Sequence, residues 1–584
     1  MWSRSYNCGV GAASLLSVIF LVAARLACGT EVSPGPLFVD ATERSGLQFR
    51  HQASKTDRKY LPETMAGGVA ILDVDRDGWM DVFFTNGAAL EHPHPSGWEP
   101  GKTRPEFWNR LFRNKGNGTF SDVTREYGLQ GRGYSMGAAV GDYDNDGYPD
   151  LAVTKLGTGP QPAVTLYRNE LGRRFTDVTE RAGMHAEGWA TSAGFFDYDR
   201  DGHLDLFVCR YVVWDFGQDH RCGTRTEAGR SYCHPDVFDP IAQYLFRNNG
   251  DGTFSDLSEE SGIHDSSGKA LGVAFADYDN DGWTDISVAN DQLQQFLFRN
   301  EGDGTFSEVS LLAGVAFDDD GNEFSGMGAG FADFDNDGFP DIVTTTLSEE
   351  QFAFFRNRGD GQFNYETDST DLGRLTQLHT GWGVGVFDFD NDGRRDLFLA
   401  NGHVMDNIEV SRPHLRYRQQ PLLLRYADGR FDDISRHGGP IFDRAWASRG
   451  SAVGDMDNDG DLDIVVANVD GPAYFARNMT SERAGRHWVG LQLQGCPSNR
   501  DGIAARVVLT AADGSKQYAT ATRTSSYLSS NDGRVFFGLG RTAAVRGIEI
   551  RWPSGTTQSL SETAVDQIHV VEESSGASCG KPAD

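Results

Sequence analysis

Apolar positions along this chain come in short runs, rich in Val, Phe and Ala and separated by Gly, Asn and Asp. Runs of this length with Gly-rich breaks read as strands. They recur in a fixed order. A run of small residues comes first, as in GAAVGDYD, GVAFADYD, GAGFADFD and GVGVFDFD. An Asp-rich loop follows, then a second apolar run such as DLFVCR, DISVAN or DIVVAN. The third element is LFRN-like, starting at Leu111, Leu166, Leu245, Leu297 and Phe354 and in degraded form at Leu424. Asn-Gly or Asp-Gly then leads into a TFSDVT-like run, a hairpin signal. Each unit therefore predicts four strands, and a repeat of four strands predicts an all-β, seven-bladed β-propeller, in which radial closure protects the sheet edges. The seventh unit stops at YFARN near Tyr474 without its fourth strand. LFVDATERSGL from Leu37 matches FSDVTREYGL at Phe120, so the N-terminal strand is expected to complete the last blade.

The Asp-rich loop is Asp-x-Asp-x-Asp-Gly-x-x-Asp in all seven copies, spaced 55 to 80 residues apart. The carboxylates are Asp73, Asp75, Asp77, Asp81; Asp142, Asp144, Asp146, Asp150; Asp197, Asp199, Asp201, Asp205; and Asp277, Asp279, Asp281, Asp285. The last three loops supply Asp333, Asp335, Asp337, Asp341; Asp388, Asp390, Asp392, Asp396; and Asp455, Asp457, Asp459, Asp463. Asp is disfavoured in strands and helix interiors, so propensity does not account for four per loop. A hard cation taking six to eight oxygens does, and the pattern predicts up to seven Ca²⁺ ions. An EF-hand is excluded. Position twelve, Val153 or Val288 for example, is apolar and lies in a strand-like run, where Glu and then a helix are required.

The Asp-rich repeats resemble FG-GAP (VCBS) repeats of integrin-type propellers. The segments RHWVGLQLQG, NRDGIAARV, SSYLSSNDGRVFFGLG and IEIRWPSGTTQ resemble the ASPIC/UnbV domain that follows such repeats in cartilage acidic proteins and their bacterial relatives. The resemblance implies a propeller over 37–484 and a small β-sandwich-like domain over 485–573, with 574–584 as a tail. One departure is Ala504, where the family usually has Gly.

Residues 1–29, with AASLLSVIFLVAA behind Arg4 and a small-x-small site at Ala27-Cys28-Gly29, predict a secretory signal. Lipidation at Cys28 is the alternative, disfavoured by Arg25. Export fits weak calcium loops, which bind at about 0.1 to 1 mM in extracellular modules. The formal charge is −31, and seven divalent ions would leave about −17. That balance argues against nucleic-acid binding, and no segment after the signal is long and apolar enough to span a membrane. Cys222 and Cys233 predict a disulfide, with a metal site including His220 and His234 as the alternative. Cys209 reads as a buried thiol, and Cys496 and Cys579 as a tether for the tail.

No catalytic constellation is recognised. Gly133-Tyr134-Ser135-Met136-Gly137 matches a nucleophile elbow, but a strand and an Asp loop follow Ser135 instead of the required helix. Long connections at Gly87–Arg110, Arg210–Gln243 and Asn401–Gln420 carry His92, His94, Trp98, Trp108, Tyr211, Trp214, Tyr232, His403, His414 and Tyr417 on the face opposite the Asp loops. Those residue types dominate recognition patches, and loops packing on one another over the channel mouth are the alternative reading. The expected function is an exported calcium-binding module for a protein or glycan ligand. An extracellular polysaccharide-acting enzyme with its site at the channel mouth, or a structural piece of a cell-surface assembly, are the alternatives.

Overall fold

The computed structural model describes residues 36–90, 96–158, 162–217, 220–223, 229–480, 484–561 and 563–574. The expected signal segment, His92, His94 and Cys579 lie outside them. The first unit is an antiparallel sheet in sequence order: Val69–Leu72, Asp81–Phe84, Arg110–Asn114 and Phe120–Asp122. The same four-strand order recurs six times. The second and third units are joined where Gly188 and Trp189 pair with Gly157 and Leu156.

Each unit places its small-residue strand innermost. In order these are Val69–Leu72, Ser135–Gly141, Gly188–Phe196, Ala270–Ala276, Ala329–Ala332, Gly381–Phe387 and Ser448–Gly454. Each packs on the next and the last packs on the first, closing a propeller ring. The clasp is present: Phe38–Asp40 pairs antiparallel with Tyr474–Asn478, Phe38 opposite Asn478. Phe38 is buried between Phe389 and Phe442 at ring distances of 6.5 and 5.8 Å. Burying one Phe is worth about 2 kcal/mol, so the edge is covered and also glued.

The C-terminal segment folds into two sheets around a shared apolar core. One pairs His487–Gln494 with Val535–Gly540 and, in parallel, with Gln567–Glu572. The other is Lys516–Thr520, Arg506–Ala511, Val545–Arg551 and Thr557–Leu560. Ala504 sits at φ +74°, a conformation that suits the Gly expected there.

These sheets are not appended beside the propeller. They lie on the Asp-loop face, and the loop following Thr520 enters the central channel. Within it, Ser529 Oγ accepts from Val69 N (3.2 Å), Ser530 Oγ from Val140 N (3.2 Å) and Ser192 Oγ from Leu528 N (2.9 Å). Tyr527 bridges to Gly272, Ser526 N–H donates to Ala329 O (2.6 Å), Ser526 Oγ accepts from Val384 N (3.0 Å), and Asn531 Oδ1 from Val453 N (2.9 Å). All seven inner strands are engaged. The small residues of those strands now have a reason: a Cβ on Gly68 would stand 2.3 Å from Leu528 O, and one on Gly137 3.0 Å from Leu528 Cα.

The opposite face is sealed as well. Tyr60, Leu61 and Met65 join Trp189, Tyr211, Trp214, Tyr232 and Trp382 in one buried cluster. Trp98 meets Phe216 edge-on at 5.2 Å, and Trp214 meets Phe216 at 4.7 Å. Tyr211 donates to Asp291 Oδ2 (2.6 Å), and Tyr232 to Glu63 Oε2 (3.4 Å). Of the two readings of the long-loop aromatics, an exposed recognition patch or loops packed over the channel mouth, most of them follow the second. Burial of a large ring outweighs exposure wherever loops can stack over one another. The disulfide Cys222–Cys233 forms, which removes the metal alternative at that loop. Cys209 is free and buried, and Cys496 is disulfide-bonded.

Candidate metal centres

Every Asp loop has the same hydrogen-bonded frame. The first carboxylate accepts from the glycine at position six: Gly78 to Asp73 (2.9 Å), Gly147 to Asp142 (2.7 Å), Gly202 to Asp197 (3.1 Å) and Gly282 to Asp277 (2.9 Å). Gly338 to Asp333 (2.8 Å), Gly393 to Asp388 (2.7 Å) and Gly460 to Asp455 (3.0 Å) complete the set. The glycines sit at φ between +81° and +98°, where a side chain would be strained. The fourth residue is left-handed too, from Asn391 at φ 55° to Asn280 at 60°. Asn tolerates that region, which accounts for its frequency there.

That fourth residue ties each loop to the next. Asn145 Nδ2 donates to Gly202 O (2.9 Å), Asn280 to Gly338 O (3.1 Å), Asn336 to Gly393 O (3.1 Å) and Asn391 to Gly460 O (3.1 Å). Asn458 closes the circle on Gly78 O at 3.0 Å. Arg76 and Arg200 replace Asn in the other two loops and lie over Tyr148 and Trp283 of the following loop.

The last carboxylate is held from the LFRN strand. Asn114, Asn169, Asn248, Asn300, Asn357 and Asn478 donate their backbone N–H to Asp81, Asp150, Asp205, Asp285, Asp341 and Asp463 at 2.7 to 2.9 Å. Their side-chain amides donate to carbonyls of the preceding unit, Asn300 to Tyr198 O at 2.9 Å for example. In the degraded sixth unit Tyr426 takes this place: its N–H serves Asp396 (2.8 Å) and its phenol meets Arg356.

This frame gathers carboxylates. Asp73, Asp75 and Asp81 each bring an oxygen within 4.8 Å of the others, as do Asp142, Asp144 and Asp146, and Asp197, Asp199 and Asp205. Asp277, Asp279 and Asp285 form a fourth such group, Asp333, Asp335 and Asp337 a fifth, and two more exist. Each of these five groups omits one of the four predicted ligands: Asp77, Asp150, Asp201, Asp281 and Asp341 stand outside. Arginines of the LFRN strands press on the outer carboxylates, Arg113 on Asp75 at 2.5 Å and Arg247 on Asp199 at 2.7 Å.

The donor set fits a hard cation on an observation independent of the motif. Asp75 Oδ1, Asp142 Oδ1, Asp277 Oδ1 and Asp396 Oδ2 are buried without a hydrogen-bond donor. Orphaned buried oxygens are costly and are normally paired. Burial, then the neighbouring carboxylates, raises Asp197 to about 7 and Asp277 to about 6. Asp73 and Asp333 are raised to about 6 by the same desolvation, only partly offset by the glycine N–H. A divalent ion relieves both penalties at once.

The C-terminal sheets reach this face directly. Asp142 N–H donates to Asp501 Oδ2 (3.1 Å), Arg500 N–H to Asn145 Oδ1 (2.9 Å) and Arg534 Nη2 to Asp455 O (2.6 Å). Reading the sequence missed this seat. Its one signal was a small-residue run, SSYLSSND, opposite glycine-rich inner strands. Ser135, at the start of an inner strand, accepts from buried Lys102 Nζ (2.7 Å) and leads into an Asp loop, not a helix.

Comparison with known proteins agrees with this anatomy. The pattern described as FG-GAP-like repeat matches residues 73–153, 237–288, 277–344 and 333–399, and that described as ASPIC and UnbV matches 495–578. Cartilage acidic protein 1 of Mus musculus is 25% identical over 529 residues, 88% of this chain and 74% of that protein. The Xenopus tropicalis protein is 24% identical over 87% of this chain and 73% of its own length. Among solved structures, an Agrocybe aegerita lectin aligns with TM-score 0.36 and 18% identity, covering 70% of this chain and 87% of that one. Bacillus licheniformis rhamnogalacturonan lyase PL11 aligns with TM-score 0.35 and 11% identity over 71% and 72%. Likeness at that level carries no argument about function.

Proposed function

The chain belongs to the family that joins FG-GAP-like repeats to an ASPIC and UnbV domain, with cartilage acidic protein 1 among its relatives, and on that premise we propose an exported, calcium-stabilised binding module. The observation that carries calcium is the set of buried carboxylate oxygens without donors, distributed over separate Asp loops of one frame. Ligands drawn from all seven loops would hold up to seven ions. Because the ions bind the folded ring and not the open chain, they stabilise it by mass action. At 10 mM calcium and a dissociation constant of about 1 mM, each site contributes about 1.4 kcal/mol.

The ligand is a protein or glycan engaged on the face away from the Asp loops. With the large aromatics packed inward, that surface is built from Val410, which is 84% exposed, Leu378, Arg412 and His414. A non-catalytic role is supported by the channel, where an enzyme site was the alternative: the Tyr527 loop occupies it from one side and the Tyr60–Met65 segment caps the other. Export is supported by the disulfide-bonded Cys222, Cys233 and Cys496 and by the millimolar calcium such loops need. No helix among the described residues is long and apolar enough to cross a membrane.

The test is thermal unfolding in EGTA against 10 mM calcium, with calorimetric calcium titration of the same sample. A gain in midpoint with calcium, weaker with magnesium, is expected, since magnesium demands tight octahedral geometry. Equal midpoints and no heat of binding would end the calcium reading.

A further inference from the structure

Between the Asp-loop face and the C-terminal sheets lies a cavity of about 190 Å³. In a chain of net charge −31, its wall holds the Arg534–Asp532 ion pair, the loop carboxylates Asp197, Asp277 and Asp333, and beyond these the four arginines Arg200, Arg395, Arg506 and Arg551. Their partners are neutral. Arg506 Nη2 donates to Gly338 O (2.8 Å) and stacks on Tyr518, while Arg395 Nη1 reaches Phe536 O only at 3.4 Å. Arg200 lies over the Trp283 ring at 4.3 Å. The Arg200 and Arg551 Nη2 atoms crowd one spot, 2.6 and 2.7 Å from where a Cβ on Gly282 would stand. Two guanidinium groups held together without a carboxylate between them call for an anion.

The negative side of the wall is Asp197, Asp277 and Asp333, the first carboxylates of the third, fourth and fifth loops. Calcium ions in those three loops would take up their charge, and the guanidinium cluster would then be left without compensation. We propose that this cavity is an oxyanion site, taking a small sulfate or carboxylate group when the three neighbouring loops hold calcium; the dependence on calcium rests on the reading above. Planar guanidinium forks match both groups in bidentate fashion. The size and the enclosure between two sheet systems restrict the occupant to a free ion or a single acidic sugar. The anion would tie Arg200 and Arg395 of the propeller to Arg506 and Arg551 of the C-terminal sheets.

The experiment is calorimetric titration of the calcium-loaded chain with sodium sulfate in one arm and sodium glucuronate in the other, against chloride at equal ionic strength. One-to-one binding with a dissociation constant below about 1 mM is expected in at least one arm. Saturation by sulfate alone identifies a free ion, and saturation by glucuronate an acidic sugar. The pair Arg506→Gln with Arg551→Gln, both on strands of the C-terminal sheets, should weaken binding at least roughly tenfold while keeping the calcium-induced gain in melting temperature. Arg551→Gln alone provides the same readout if the pair folds poorly. Calcium binding without anion binding in either arm overturns this site and leaves the calcium reading standing, as does unchanged affinity in the folded variants. A chain that binds no calcium ends the calcium reading and the proposed dependence together.

Discussion

Removing one side chain should separate the C-terminal sheets from the propeller. Tyr527 is fully buried in the channel, its ring centroid is 4.8 Å from that of Trp382, and its hydroxyl donates to Met65 O at 2.8 Å. Truncating a buried aromatic costs about 3 to 5 kcal/mol. Leaving Met65 O without its donor adds about 1 to 3 kcal/mol. Tyr527→Ala should therefore cost about 5 kcal/mol, whereas Tyr527→Phe, which keeps the ring, should cost about 1 kcal/mol. That difference approaches the whole stability of many domains. Urea unfolding in saturating calcium, followed by tryptophan fluorescence, should show an early transition in Tyr527→Ala as Trp382 becomes wet. Trypsin supplies a second reading, because Arg523 and Arg534 flank the loop and Arg534 is buried in the folded chain. Cleavage there should accelerate in Tyr527→Ala and hardly change in Tyr527→Phe. An alanine variant within about 1 kcal/mol of wild type, with unchanged cleavage, would refute the idea that this loop holds the two parts together.

Four further outcomes are expected. Asn300→Leu strips Tyr198 O and Thr284 O of a donor and Gly302 N–H of an acceptor, and should cost about 2 to 4 kcal/mol by denaturant midpoint. Deleting residues 37–48 uncovers the Tyr474–Asn478 edge and should produce concentration-dependent aggregation on light scattering. Ala504→Gly relieves a left-handed alanine and should raise the melting midpoint by the equivalent of about 0.5 to 1 kcal/mol. Burial raises Asp73 to about 6 and Asp197 and Asp455 to about 7, above the value of about 4 for an unfolded Asp. Protonation thus favours the ion-free fold, whose stability should fall as pH rises from about 4 through 7. Calcium needs ionised ligands, so its stabilising effect should grow over that same window in paired melts with EGTA.

The local chemistry of this protein was legible along the chain. Asp at alternate positions with Gly sixth permits one compact turn, and the turn recurs because the four-strand unit recurs. The clasp was legible for the same reason: a missing strand at Tyr474 and a surplus one at Leu37 are complementary in a closed ring. Two features belong to the tertiary structure alone. The aromatics of the long loops fitted a recognition patch or packed loops equally well from sequence; only the folded arrangement brings Trp98, Phe216, Trp214 and Tyr60 within ring contact. The small residues of the inner strands and the SSYLSSND run were each visible along the chain, but nothing local announced that the second would fill the space the first leaves. Periodicity reports which neighbours a residue has along its own strand. It carries no information on which distant segment fills the hole that seven strands leave at their centre, because that depends on where the chain has been brought after closing the ring.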